Sequence, residues 1–256
     1  MTVWLTRIQP DLRHRDARRD LASAIGMHHR LMMLFPDGSG ERARQQTGIL
    51  FRLEDATSHG HRAPHILLQS QVRPDLDRLP AGYGRADTRE LTPLLDALHD
   101  GLTVHYRIAA GAVRKSGPTT RAAGAKPVIT LTGGDADQWW QRQAEEKAGL
   151  KPATAHATPL DAARGERSQD KSRIRHTRTR FEGTAVITDA HTLRTTLLTG
   201  IGRGKAYGCG LLSIAPTSRQ APGAPTLPRD ANSPHQPSKC CPASEAPCPC
   251  SPHRRR

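Results

Sequence analysis

The chain has 256 residues, room for one large domain or two small ones. Its 38 Lys and Arg outweigh 24 Asp and Glu to give a net charge of +14, which favours a polyanionic partner, either nucleic acid or an acidic membrane surface. Only 4% of residues are aromatic, which argues against stacking on many rings as the main binding mode, and no apolar run approaches the ~20 residues of a membrane span.

Residues 2–9 (TVWLTRIQ) alternate polar and apolar and predict a half-buried strand. The N-terminus lacks the apolar core of a signal peptide. A helical stretch is expected over 14–35, with Leu21, Ile25, Leu31 and Leu34 at helix-like spacing, a break near Gly26, and turn chemistry from Phe35 to Gly38. Residues 47–54 and 64–71 read as strands, and a fourth strand is expected near 86–91. The second half opens on a strand at 101–113, followed by a basic glycine-rich loop and a helix at 135–148. Residues 180–188 predict a strand, Asp189 an N-cap and 190–199 a helix; a final strand covers 209–216. Each half fits βαββ(αβ), with a linker-like PDLDRLPAGYG before the fourth strand of the first. The expected fold class is α+β, two tandem ferredoxin-like (RRM-like) domains at 1–92 and 98–216, with an insertion around 113–180. Residues 217–256 hold nine of the 20 prolines and almost no aliphatics, so a disordered C-terminal tail is expected there. Four of the five cysteines fall in the last 17 residues without paired CxxC spacing. The body then has no disulfide framework, and a reducing, cytoplasmic setting is expected.

Four features carry candidate chemistry. Residues 200–214 (GIGRGKAYGCGLLSI) interleave Gly200, Gly202, Gly204, Gly208 and Gly210 with Arg203 and Lys205. Glycine permits close backbone approach, and the cations suggest an anion, so this run is a candidate phosphate clamp or a brace between domains. Residues 164–180 carry seven Lys or Arg and two acids. Alternation on a hairpin would set Lys171, Arg173, Arg175, and with them Arg178 and Arg180, in a ridge that tracks phosphates. Arg114 and Lys115 flank a glycine-rich turn and are further RNA-binding candidates. His28 and His29 lie late in the first helical stretch, where imidazole suits proton transfer at neutral pH. No P-loop, HExxH, GxSxG or acidic two-metal cluster is present. No metal or cofactor is therefore expected, and the glycine run precedes a strand, unlike a dinucleotide fingerprint. A nuclease of this kind would need an internal nucleophile, which RNA supplies in its 2′-OH.

Three segments, in order, resemble the CasE family of CRISPR repeat-RNA endoribonucleases of the type I-E Cascade system. They are HHRLMMLFP after the first strand, HILLQSQVRPDL at 65–76 and the terminal GIGRGKAYGCGLLSIAP; HYRIAAGAVRK at 105–115 is a weaker fourth. The resemblance implies tandem ferredoxin-like domains, binding of the stem-loop of CRISPR repeat RNA, and one cut at the 3′ base of the stem. It implies other Cascade subunits as partners and retention of the crRNA product. It places the family's catalytic histidine on His28, eight residues before Pro36, whereas the tyrosine that some members carry nearby is replaced around Ile25 and Gly26. A non-catalytic RNA-binding subunit of a ribonucleoprotein is the alternative, and cleavage of free repeat RNA separates the two.

Overall fold

The computed structural model describes residues 2–36, 47–55, 63–117, 119, 124, 128–166 and 173–217. Lys171 and the expected tail from 218 onward lie outside the described residues. The first strand, β1 (Trp4–Pro10), sends Ile8 into the core and leaves Arg7 outside, as alternation requires. Two helices follow, α1 (Arg15–Ala22) and α2 (Ala24–Met32). The single stretch expected at 14–35 therefore divides, and it divides at Ser23 rather than near Gly26. Ser23 is extended (φ −132°, ψ 116°), and its hydroxyl accepts from the Gly26 amide at 3.1 Å. A side chain that captures a backbone donor ends one helix and caps the next, whereas the single glycine is absorbed inside α2.

Buried Arg30 on α2 reaches back to α1. Its Nε donates to Asp20 Oδ2 at 2.7 Å and its Nη2 to Asp16 Oδ2 at 3.2 Å, over the Tyr83 ring. This pairing fixes the angle between the two helices, and with it the helix that carries His28.

The chain then forms β2 (Leu50–Glu54), β3 (His65–Ser70), a 3-10 turn (Leu76–Arg78) and β4 (Gly84–Glu90). Antiparallel pairing gives the sheet order β2-β3-β1-β4. This is the ferredoxin-like order with its second helix reduced to the 3-10 turn. Ile8, Phe51, Ile66 and Leu68 meet Ala17, Met27 and Leu31 of the helices in one core.

A short helix, α3 (Thr92–Asp96), leads to the second half. There the order is β5 (Thr103–Ala110), the hairpin β6 (Val113–Lys115) and β7 (Val128–Thr130), α4 (Gly134–Ala148), β8 (Leu150–Pro152) and β9 (His156–Glu166). It closes with β10 (Arg173–Ile187), α5 (Ala190–Thr199), a 3-10 turn (Lys205–Tyr207) and β11 (Leu212–Pro216). The sheet order β11-β5-β10-β8, with β9 also on β10, repeats the ferredoxin-like order. Trp140 is fully buried, stacks on Phe181 at 5.6 Å and lies 5.3 Å from Tyr106. Residues 113–180 are thus an insertion only in part. The hairpin β6–β7 is an addition, while α4 and β8–β9 are the half's own first helix and second strand. The strand expected at 180–188 starts at Arg173, because pairing with β9 extends it. Among the described residues, no helix is long and apolar enough to cross a membrane.

Candidate nucleic-acid interface

The two sheets meet across buried charge. Arg52 on β2 is 2% exposed; its Nε donates to Glu54 Oε1 at 2.7 Å. Its Nη1 donates to the carbonyls of Arg107 (2.8 Å) and Leu211 (2.9 Å), and its Nη2 to Ser213 Oγ at 2.6 Å, all in the second half. Glu54 also holds Arg107 at 3.2 Å, and Arg107 pairs in turn with Glu182. Burial pushes the Arg52 guanidinium below its ordinary range while Glu54 sustains its charge. On β3, Gln69 Nε2 donates to the Leu197 carbonyl of α5 at 2.6 Å, which gives the LLQS segment a physical role at the same seam.

The glycine-rich run lies on this seam. All five glycines have positive φ, from +72° at Gly200 to +88° at Gly210. A Cβ on Gly210 would lie 2.7 Å from the Ile201 carbonyl oxygen, and one on Gly200 2.9 Å from that of Gly210. Both conformation and space therefore demand glycine at these two positions. The run closes on itself: the Ile201 amide donates to Gly210 O, that of Cys209 to Gly204 O, and that of Gly210 to Ala109 O. These donors are consumed by the fold and do not point at a ligand. Gly208 rests on Phe51 and Gly200 on Leu50, both from β2. Lys205 turns back to donate to the Thr199 carbonyl at 2.6 Å, whereas Arg203 is exposed. The geometry is that of a brace between the halves, with Arg203 as its outward cation.

His28 is half-buried on α2, and its ring centre is 6.0 Å from that of the exposed His29. The other half packs directly on this helix. The 3-10 turn Lys205–Tyr207 and β9 both lie against α2, where a Cβ on Gly165 would strike Ile25 at 2.8 Å. A cleft of about 400 Å³ opens between them, lined by Met27, Phe51, Arg164, Arg178 and Tyr207 among others. The histidine helix thus borders an opening that carries cations from the second half.

The basic ridge is divided between two faces. From His176 to Arg178 the β10 chain takes two steps while β9 takes three, from Ala163 to Leu160, so the bulge lies on β9 and β10 alternates without interruption. Arg173 and Arg175 stand on one face with Thr177, whose hydroxyl is 3.3 Å from that of Thr130 on the β6–β7 hairpin. Arg178 and Arg180 stand on the other, and Arg178 lines the cleft beside α2. Arg178 Nε donates to the Asp161 carbonyl at 2.8 Å, and Arg180 Nε lies 3.4 Å from Glu182. Arg114 and Lys115 are exposed on β6. His176, on the α2 side, stacks on Tyr207 at 4.7 Å and 23°. Burial, aided by the charge of Arg203, holds its imidazole below the ordinary range. The sequence had not singled out Arg52, Glu54, Arg107, Glu182 or His176. A signal existed for the first two: Arg52 and Glu54 are same-face charges inside the otherwise apolar strand ILFRLE.

Comparison with known proteins adds four findings. A family model described as CRISPR associated protein matches residues 3–216. The CRISPR-associated endoribonuclease Cse3 of Thermus thermophilus is 30% identical over 224 residues, spanning 84% of this chain and 100% of the relative. The structure of Thermus thermophilus Cse3 bound to an RNA representing a pre-cleavage complex superposes with a TM-score of 0.68 at 27% identity, over 84% of this chain and all of that one. A chain of a CRISPR RNA-guided surveillance complex in a pre-nicking state is 39% identical with a TM-score of 0.63, at the same coverage.

Proposed function

The chain belongs to the CRISPR-associated protein family, and from this premise we propose that it is a metal-independent endoribonuclease that cuts CRISPR precursor RNA at the 3′ base of the repeat stem-loop. Residues 1–92 form the domain that carries His28, and residues 98–216 the domain that supplies most of the cations. His28 accepts the 2′-OH proton or donates one to the leaving 5′-oxygen. The 2′-oxygen attacks the adjacent phosphorus and the bond from phosphorus to the 5′-oxygen breaks. The products are a 2′,3′-cyclic phosphate and a 5′-hydroxyl. Holding the 2′-OH in line supplies much of the rate, and a nearby guanidinium stabilises the charge that develops on the phosphate. Arg114, Lys115, Lys171, Arg173, Arg175 and Arg203 hold stem phosphates by shape, while Arg178 lines the cleft beside the histidine helix and Arg180 stands on the same face of β10. The product stays bound, and the protein acts in the cytoplasm as a subunit of a Cascade-type complex.

One observation carries this reading. His28 lies on the helix against which the glycine-rich turn and β9 of the other half are packed, which supports a reading in which a substrate held by the second half meets the helix that carries His28. Replacing the cleavage-site ribose of a matching hairpin by 2′-deoxyribose tests the chemistry. Binding is expected to persist while cleavage stops, and continued cleavage would exclude attack by the 2′-OH.

A further inference from the structure

The strand β5 ends at Ala110, opposite Thr179, so it does not cover β10 from residue 175 to 177. A concavity of about 540 Å³ opens there. The hollow wraps the uncovered edge of β10: Arg175 and Thr177 line it from one face, with Thr130 of β7, His176 lines it from the other face, and Arg203 and Cys209 line it from the glycine-rich run. Two guanidinium groups and two hydroxyls around one hollow are the donors a phosphate needs. His176 is the titratable member of this set, and its ring is fixed by the stack on Tyr207.

We propose that His176 is a proton-regulated phosphate contact in this hollow: neutral in the empty protein, it takes up a proton when an RNA phosphate enters between Arg175 and Arg203. This rests on the RNA-binding reading above and adds to it a residue and a pH dependence. The surroundings of His176 explain the coupling. Arg175 and Arg178 flank it on β10, Arg203, Tyr207 and Cys209 face it from the glycine-rich run, and Ala163 stands opposite it on β9. Val113, Val128 and Thr130 of the hairpin carry no charge. Asp161, in the β9 bulge beside Arg178, is the acid on this side; burial first, and then the charge of Arg203, oppose a positive charge on the empty ring. A bound phosphate reverses the local field. Binding then draws in a proton, and affinity rises as pH falls through the imidazole range.

The test measures affinity for a matching repeat hairpin between pH 8 and pH 6, in the full chain carrying His28→Ala so that the RNA stays whole. The slope with pH is read, not the affinity at any one pH. The unchanged site is expected to gain roughly 3- to 10-fold in affinity over this interval, the upper value being one pKa unit of linkage. His176→Phe keeps a ring to stack on Tyr207 but cannot take a proton, and His176→Gln keeps a polar group without a titration. Both are expected to lose that gain relative to the parent. If both retain the parent's slope, the inference is overturned. If the hairpin binds at no pH, the endoribonuclease reading falls and this inference with it; binding with unchanged slopes sinks the inference alone.

Discussion

Substituting Arg52→Ala removes the centre of the seam between the two halves. The guanidinium is 2% exposed and makes bonds to Glu54, to two carbonyls and to Ser213. Breaking a buried ion pair on one side costs about 3–5 kcal/mol, because the remaining charge stays buried without its partner. Glu54 keeps Arg107 at 3.2 Å, which places the expected loss near the lower end, about 3 kcal/mol. For a folded body of this size that is a fall in Tm of about 6–12 °C. Calorimetry and urea unfolding read it. The double variant Arg52→Met with Glu54→Leu leaves no orphaned carboxylate and is expected to recover at least half of the loss. A loss below about 1 kcal/mol for Arg52→Ala would refute the reasoning, since that is the worth of an exposed surface pair.

Gly210→Ala puts a Cβ at φ +88° and 2.7 Å from the Ile201 carbonyl oxygen. It is expected to cost about 1–3 kcal/mol in urea unfolding, and an unchanged midpoint would contradict the brace. Arg173→Ala with Arg175→Ala is expected to reduce the slope of log affinity for hairpin RNA against log salt by roughly 1–2, with no change if these side chains leave phosphates untouched. Burial pushes the Cys209 thiol up to about 11. Its thiolate fraction at pH 8 is then about 0.1%, so native Cys209 should be alkylated by iodoacetamide far more slowly than in the unfolded chain; equal rates, read by mass spectrometry, would contradict its burial.

Much of this was legible from residues alone. The alternation in TVWLTRIQ, the Asp189 cap and the periodicity of 135–148 are local signals, and β1, α5 and α4 follow them. The glycine run announced its backbone, and all five glycines have positive φ. What stayed hidden depends on distant partners. β9 (HATPLDAARGE) has little apolar alternation and is a strand because β10 pairs with it. The division of the basic ridge follows from residue parity: Arg173 and Arg175 are odd, Arg178 and Arg180 even. The role of the glycine run as a brace depends on Phe51 and Leu50, some 150 positions earlier in the chain. His28 could be ranked above its twelve fellow histidines only by the order of segments around it, whereas the structure adds what packs on its helix.

The account stands most directly on one rate. Single-turnover cleavage of a matching repeat hairpin by the full chain, in EDTA, is to be compared with that of His28→Ala. The substitution is expected to slow cleavage at least about 100-fold, the usual worth of a general acid or base, while hairpin affinity changes little. Cleavage by His28→Ala at the parent's rate, or loss of the parent's cleavage in EDTA, would contradict the mechanism.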